Sequence, residues 1–353
     1  MRWKDGRRGR NIEDRLGRPP PRSDAASESM IRRVADGAAD AARRIAPYIV
    51  ATPLSYYDAL SAATGTEVYA KLENLQHTGS FKYRGALNRL LTLGESERSR
   101  GVAVASSGNH GAAAARAMRE LNVDGVIFVP ESASEAKLDK IRREGAELRF
   151  AGQDGLEAEL YARAWAAEHD RFYLSPYNDL EVIAGQGSIG VELLDALPDV
   201  DALVVAVGGG GLLAGIASVL KTARPELVVI GAQPAASAVM AHSVIAGRIV
   251  DAEDGPTLSD GTAGGIETDA VTLPLHQALV DEYVLVSELE IARALARFIA
   301  DEDMLVEGAA ALVFAALRAC AEKLAGMKVA AIVCGANIAS ADAERALAMA
   351  RGQ

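Results

Sequence analysis

Short apolar runs alternate with longer amphipathic segments along most of the chain. Apolar runs bounded by turn residues predict buried strands, whereas apolar residues that recur every three or four positions predict helices. The predicted strands are residues 67–72, 102–105, 125–129, 147–150, 202–207, 228–232 and 328–333. The predicted helices are residues 81–93, 112–120, 135–144, 156–169, 182–197, 212–223, 288–300 and 308–324. This alternation indicates an α/β fold with parallel sheets that helices cover on both faces.

Residues 1–28 do not share this pattern. The first ten residues are basic and rich in glycine, and three consecutive prolines follow at positions 19–21. The segment has no apolar core of the kind that secretory signals carry, so we do not interpret it as one. Its composition predicts a disordered basic extension.

Composition and charge narrow the class of protein. The chain has 353 residues, which is typical of a two-domain enzyme, and 50% of them are hydrophobic. The formal net charge of −11 argues against a nucleic-acid partner. No apolar stretch approaches the ~20 residues of a membrane span, so no membrane partner is expected. Cys320 and Cys334 form neither a disulfide framework nor a metal-binding spacing, which fits a reducing cytoplasm.

One lysine stands where a predicted strand has ended and a predicted helix begins. Lys82 directly follows the segment Thr-Gly-Ser-Phe at residues 78–81. A lysine held at such a junction can form a Schiff base when it is desolvated, because its neutral amine is then accessible. The alternative is an ordinary lysine on the exposed first turn of a helix.

Two glycine-bearing loops each join a predicted strand to a predicted helix. The first has the sequence Ser-Ser-Gly-Asn-His-Gly at residues 106–111. Backbone N–H groups and small hydroxyls at a helix N-terminus suit an anion, such as a substrate carboxylate. The alternative is a turn centred on Asn109 that only caps the helix.

The second loop contains four consecutive glycines, Gly208 to Gly211, after a fully apolar strand. Glycines at this place let successive N–H groups close around a phosphate, and the helix dipole adds a favourable field. A flexible turn is the alternative. Neither a P-loop nor a spaced dinucleotide fingerprint is present, which argues against nucleotide binding.

Two further residues stand at element ends near the C-terminus. Cys334 directly follows the last predicted strand and precedes a glycine turn, and Glu307 precedes the helix predicted from residue 308. A small buried thiol is the common fate of a free cysteine. A glutamate at a helix N-terminus is favourable without any further role.

Taken together, these segments resemble the pyridoxal-phosphate enzymes of fold type II, in the serine/threonine dehydratase and serine racemase branch. The four motifs occur in the family's order between about residues 45 and 340. The resemblance implies a tryptophan synthase β-like α/β fold of two three-layer domains with mostly parallel sheets. It implies a small domain at residues 101–176 inserted into a large cofactor-binding domain at residues 29–100 and 177–353, and a homodimer.

The resemblance also implies roles for individual residues around pyridoxal 5'-phosphate and a small amino-acid substrate. Lys82 would carry the cofactor and act as the base, and Ser107 is the second candidate catalytic residue. The residues implied to contact the cofactor are Phe81, Lys82, Asn109, Gly208, Gly209, Gly210, Gly211, Leu212, Glu307 and Cys334. The residues implied to bind the substrate carboxylate are Ser106, Ser107, Gly108, Asn109 and His110.

The reaction that this resemblance favours is β-elimination from L-threonine, L-serine or a related β-hydroxy amino acid, giving a 2-oxo acid and ammonia. Cys334 supports elimination, because a thiol is a weak donor that cannot keep a pyridine nitrogen charged. Ser107 keeps racemisation open, since serine racemases have a serine at this place. A β-replacement synthase is disfavoured, because Tyr83 stands where those enzymes have aspartate. A non-catalytic binding protein would not need Lys82 and Ser107 together.

No metal site is expected. The cation site of serine racemases begins with a glutamate, and this chain has Gln233 there, with Ser237 and Val239 at the following ligand positions. These residues lack the carboxylates that a hard cation prefers.

Overall fold

The computed structural model describes residues 10–11, 24–252 and 255–352. Its helices in chain order are α1 (Ala25–Ile45), α2 (Asp58–Thr64), α3 (Lys82–Thr92), α4 (Glu95–Arg100), α5 (Asn109–Leu121), α6 (Glu135–Arg143), α7 (Gly155–Glu168), α8 (Leu180–Ala196), α9 (Gly211–Ala223), α10 (Val239–Ala246), α11 (Thr272–Leu279), α12 (Glu288–Glu302), α13 (Gly308–Ala319), α14 (Ala321–Leu324) and α15 (Ser340–Arg351). Its strands are β1 (Arg10–Asn11), β2 (Leu54–Tyr56), β3 (Glu67–Lys71), β4 (Val102–Ala105), β5 (Gly125–Val129), β6 (Glu147–Phe150), β7 (Phe172–Tyr173), β8 (Ala202–Ala206), β9 (Val228–Pro234), β10 (Glu282–Val286) and β11 (Lys328–Ile332).

The larger sheet contains seven of the described strands, in the order β1-β10-β9-β8-β11-β3-β2. The five inner strands run parallel, and the edge strands β1 and β2 pair antiparallel with their neighbours. Strands β8 and β10 bury every residue. Burial of this kind is expected where helices cover both faces of a parallel sheet.

The smaller sheet has the order β6-β5-β4-β7 among the described residues, and all of its strands run parallel. Its strands lie between Val102 and Tyr173, within the range 101–176 that the resemblance assigns to an inserted domain. The α/β fold with mostly parallel sheets is therefore confirmed, while the domain boundaries themselves stay a prediction.

Helix α3, which begins at Lys82, is held against α8 by very close backbone approach. A Cβ atom at Gly85 would lie 2.3 Å from Nε2 of Gln186 and 2.8 Å from the Val182 carbonyl oxygen. The buried Arg84 adds ion pairs on the same turn, to Glu73 at 2.8 Å and to Glu192 at 2.6 Å. These contacts fix the first turn of α3, and with it the backbone of Lys82.

The prediction that residues 1–28 form a disordered extension is wrong for the residues of this range that the structure describes. Arg10–Asn11 pair with β10, and residues 25–28 belong to α1. Helix α1 begins there because the Asp24 side chain accepts a hydrogen bond from the Ser27 N–H at 2.8 Å. The remaining residues of the extension, 1–9 and 12–23, lie outside the described residues.

Other differences concern individual elements. The predicted helix at residues 308–324 is divided at Cys320, which ends α13 and precedes α14. The predicted elements do not include strands β1, β2, β7 and β10, the long helix α1, or helices α2, α4, α10, α11 and α15. Within the part of the chain that the structure describes, no helix is both long and apolar enough to cross a bilayer.

Candidate active site

The predicted site segments all follow the carboxyl ends of parallel strands. The segment that leads to Lys82 comes after β3, the loop at residues 106–110 after β4, the glycine loop after β8, and Cys334 after β11. Open α/β sheets bind ligands in the crevice outside these strand ends. The topology therefore brings together segments that are far apart along the chain.

Two of these segments are joined directly by backbone hydrogen bonds. Ser80 and Gly335 form an antiparallel bridge. The Phe81 N–H donates to the Cys334 carbonyl oxygen at 3.1 Å. This pairing places Cys334 beside the residue that precedes Lys82.

The amine of Lys82 lies in a desolvated place. Its Nζ donates a hydrogen bond to the Pro176 carbonyl oxygen at 3.1 Å. Burial lowers the pKa of Lys82 to about 8, and the neighbouring Cys334 and Glu307 oppose this shift only partly. A substantial fraction of the amine is then neutral near pH 7 to 8, which is the condition for nucleophilic attack on a carbonyl group.

Glu307 lies at the centre of the predicted cofactor contacts. It is buried, and its carboxylate accepts from Asn109 Nδ2 at 2.9 and 3.2 Å and from the Cys334 thiol at 3.5 Å. Burial raises the pKa of Glu307 above its ordinary value, and the hydrogen bonds from Asn109 and Cys334 oppose this shift only partly. Burial, followed by the charge of Glu307, raises the pKa of the Cys334 thiol well above its ordinary value, so this thiol stays protonated and can donate.

Asn337 completes this group and was not identified from the sequence. Its Nδ2 donates to Asn109 Oδ1 at 2.7 Å and to the Thr78 carbonyl oxygen at 2.8 Å, and its Oδ1 accepts from Lys140 Nζ at 2.9 Å. The signal that could have found it is its position in the turn directly after Cys334. Asn337 therefore orients the Asn109 amide toward Glu307.

The loop at residues 106–110 opens helix α5. The Gly108 N–H is tied back to Ser106 Oγ at 3.2 Å. No hydrogen bond to the Ser107 side chain is present among the described residues. Since the first N–H groups of a helix have no partner within it, Asn109 and His110 can offer theirs to an anion.

The His110 side chain is turned into the protein rather than toward solvent. Its Nε2 lies 3.0 Å from the Leu174 carbonyl oxygen, so Nε2 carries the proton, and within the described residues the buried Nδ1 has no partner. Burial, assisted by the charge of Lys82, lowers the pKa of His110 to about 3. The imidazole is therefore neutral at physiological pH, and His110 contributes its backbone N–H to the loop.

The glycine loop closes tightly around the start of helix α9. A Cβ atom at Gly209 would lie 2.4 Å from the ring of Tyr177, and one at Gly208 would lie 3.0 Å from Cα of Thr262. The absence of side chains at Gly208 to Gly211 leaves their N–H groups uncovered at the positive end of the helix dipole. This is a cradle suited to a phosphate group.

The residues present fit pyridoxal 5'-phosphate. A partly neutral amine at Lys82 can bond the aldehyde carbon and the glycine loop can hold the phosphate. The protonated Cys334 thiol, once rotated away from Glu307, can donate to a ring nitrogen. The hydroxyls of Thr78 and Ser80, in the segment before Lys82, are buried without a partner in the described part of the chain. Such unpaired buried groups need a further polar partner.

The end of β9 and the residues that follow it correspond, in the resemblance, to the cation site of serine racemases. Gln233 uses both ends of its amide within the protein, donating to the Val207 carbonyl oxygen at 3.0 Å and accepting from the Ala241 N–H at 2.8 Å. In the described ranges, no group of three or more histidine, cysteine or acidic side chains is placed to hold a metal ion.

Comparisons with known proteins agree with this geometry. The family model described as pyridoxal-phosphate dependent enzyme matches residues 45–335. An L-threonine ammonia-lyase from Thermotoga maritima is 40% identical over 301 residues, which cover 85% of this chain and 74% of that protein. The structure of the processed form of threonine deaminase isoform 2 from Solanum lycopersicum superposes with a TM-score of 0.87 at 29% identity, covering 98% of this chain and 99% of that one. Serine racemase from Dictyostelium discoideum superposes with a TM-score of 0.80 at 32% identity, covering 86% and 98%. The chain therefore belongs to the family of pyridoxal-phosphate dependent enzymes.

Proposed function

We propose that this pyridoxal-phosphate dependent enzyme is an ammonia-lyase that converts L-threonine, L-serine or a related β-hydroxy amino acid to a 2-oxo acid and ammonia. The observation that carries the proposal is the desolvated amine of Lys82 beside the protonated thiol of Cys334. The names of the Thermotoga maritima and Solanum lycopersicum relatives support the same activity.

In this proposal, Lys82 has two tasks. Its amine would hold the cofactor covalently, and as a free amine it would be the base that takes the proton from the substrate Cα. The bound cofactor supplies a conjugated ring that withdraws electrons from Cα, so that the β-hydroxyl can leave. The lowered pKa of Lys82 suits a base that works near neutral pH, because an efficient base has its pKa near the operating pH.

The other site residues hold reacting groups in place. The N–H groups of Asn109 and His110, together with the hydroxyls of Ser106 and Ser107, bind the substrate carboxylate at the start of α5. The N–H groups of Gly208 to Leu212 hold the cofactor phosphate, and Asn109, with Glu307 and Phe81, positions the ring. The Cys334 thiol would donate a weak hydrogen bond to the ring nitrogen without charging it, and this would favour loss of a β-substituent.

Racemisation is the second candidate activity. The Ser107 hydroxyl carries no hydrogen bond among the described residues, so it is available to deliver a proton to the substrate. The likeness to the serine racemase of Dictyostelium discoideum supports this candidate. We rank it below elimination and treat it as a side activity.

We further propose that residues 101–176 form an inserted small domain and that the enzyme is a cytoplasmic homodimer. The range of the smaller sheet supports the inserted domain. Two buried free cysteines, Cys320 and Cys334, suit a reducing compartment.

The proposal is tested by a keto-acid screen over L- and D-β-hydroxy amino acids, with exchange of the Cα hydrogen for deuterium measured in the same samples. We expect 2-oxo acid and ammonia in equal amounts from L-threonine or L-serine. The Lys82→Ala variant serves as the control for background elimination. Rapid Cα exchange with D-amino acid as the main product would replace the ammonia-lyase with the racemase.

A further inference from the structure

The buried side chain of His276 on helix α11 bridges strand β10 and the glycine loop. Its Nε2 lies 2.8 Å from the Gly210 carbonyl oxygen, and its Nδ1 lies 2.6 Å from the Tyr283 hydroxyl. His276 is fully buried, and Tyr283 is 6% exposed. Neither residue has a part in the mechanism proposed above.

The partners of His276 fix the direction of both hydrogen bonds. A carbonyl oxygen can only accept, so Nε2 carries the proton, Nδ1 accepts, and Tyr283 donates. Burial lowers the pKa of His276 to about 4 and raises the pKa of Tyr283 well above its ordinary value. Both side chains are therefore neutral at physiological pH, as this arrangement requires.

Gly210 is shaped to receive the imidazole. Its φ of +89° lies in the left-handed region, and a Cβ atom there would lie 2.5 Å from His276 Nε2. Its carbonyl oxygen also accepts from the Ala214 N–H at 3.0 Å, as the first acceptor of α9. Any side chain at this position would push His276 away from the carbonyl group.

The same peptide unit connects His276 to the phosphate cradle. The peptide bond between Gly210 and Gly211 is trans, so its C=O and N–H groups point in opposite directions. With the carbonyl held on the side of His276 and the helix body, the Gly211 N–H points out of the N-terminus of α9. This is the direction from which a helix N-terminus binds an anion.

We propose that His276, oriented by Tyr283, is a positioning residue for phosphate binding that holds the Gly210–Gly211 peptide with its N–H directed at the cofactor phosphate. The inference rests on the proposed role of the glycine loop and is independent of which substrate the enzyme uses. Loss of His276 should therefore act first on the affinity for phosphate groups, and on turnover only as a consequence.

The test measures the affinity of the full-length, cofactor-free chain for inorganic phosphate and for pyridoxal 5'-phosphate. The ³¹P chemical shift of the holoenzyme is recorded in parallel. His276→Leu removes the donor to Gly210, whereas His276→Gln keeps an amide N–H that can reach it. Tyr283→Phe removes only the hydroxyl that orients the imidazole. Tyr57→Phe is the matched control, because Tyr57 precedes α2 and its hydroxyl donates to Asp301 of α12 at 3.1 Å, so neither residue belongs to the glycine loop or to α11.

We expect His276→Leu to weaken the affinity for both ligands by a few-fold to about tenfold, which is the usual value of one hydrogen bond, and to shift the ³¹P signal. His276→Gln should restore most of the affinity, Tyr283→Phe should fall between, and Tyr57→Phe should match the parent. Parent-like affinity and ³¹P shift in a folded His276→Leu variant would overturn the proposal.

Two further outcomes remain decisive. Where His276→Leu does not fold, Tyr283→Phe is compared with Tyr57→Phe: a weaker phosphate affinity supports the proposal, and an equal one overturns it. Failure of the parent chain to bind inorganic phosphate or the cofactor would overturn the role of the glycine loop itself, and the inference with it.

Discussion

Asn109 donates hydrogen bonds to both carboxylate oxygens of Glu307, at 3.2 Å to Oε1 and 2.9 Å to Oε2. Asn109 is the first residue of helix α5, which packs on the smaller sheet. Glu307 directly precedes helix α13, which packs on the larger sheet. The pair therefore joins the loop at residues 106–110 to the residues that directly precede α13. Asn109 thereby supplies hydrogen-bond donors to the Glu307 carboxylate, which is almost completely buried.

Replacing Asn109 should destabilise the chain even without cofactor. Asn109→Ala removes donors from the buried Glu307 carboxylate, which costs about 1–3 kcal/mol of unfolding free energy. Asn109→Asp should cost more at neutral pH, because it sets a second negative charge against Glu307. Urea unfolding of the cofactor-free variants measures both values. An Asn109→Asp variant as stable as Asn109→Ala would contradict this repulsion.

The reactivity of Lys82 should follow its lowered pKa. In the cofactor-free chain, an amine reagent attacks only the neutral form, which predominates above the pKa. Modification of Lys82 should therefore be half-maximal near pH 8, well below the pKa of about 10.4 of an ordinary lysine. Glu307→Gln should move the midpoint lower, since the charge of Glu307 raises the pKa of Lys82. Peptide mapping after timed modification measures it, and a parent midpoint near pH 10 would refute the desolvated environment.

Ser107→Ala separates the two candidate activities. In an ammonia-lyase the hydroxyl only helps to bind the carboxylate, so its loss should lower efficiency by a few-fold to about tenfold. In a racemase it is the acid on the second face, and its loss should cost about 10²–10⁴-fold. We expect the small loss, with keto acid still formed from L-threonine or L-serine. The assay quantifies keto acid and D-amino acid together, and a collapse of a dominant D-amino acid product would reverse the ranking.

Chelation should leave the activity nearly unchanged. Gln233 uses both ends of its amide in hydrogen bonds to the backbone, so it is not free to turn toward a cation. Activity is measured before and after treatment with EDTA, with magnesium and calcium added back as controls. A large loss that either cation restores would show that residues 233–239 hold a metal.

The sequence pattern predicts best those elements whose own residues show the local pattern of a strand or helix. Strands β4, β5 and β6 have the predicted bounds, because each is a short run between turn residues. Strand β7 has only two residues and exists through its pairing with Val102 and Ala103, which a local pattern does not report. Residues 25–28 were assigned to the extension because their helix depends on a cap at Asp24 and on packing against other helices.

The same distinction holds for the site. Lys82, the glycine loop and the loop at residues 106–110 are recognisable because consecutive residues carry the chemistry. Asn337 and His276 act through contacts with residues 228 and 66 positions away, to Asn109 and Gly210. Such contacts follow from sheet order and helix packing, so a local sequence pattern does not predict them.

The central claim is that Lys82 is the covalent anchor of the cofactor and the base of the reaction. It is tested most directly by reducing the holoenzyme with borohydride and mapping the pyridoxyl group by peptide mass spectrometry, in the parent and in Lys82→Ala. We expect the group on Lys82 alone in the parent. In the variant we expect no adduct, no visible absorption and a loss of activity of several orders of magnitude. A reduced adduct on another lysine of the parent, or an active Lys82→Ala variant, would contradict the account.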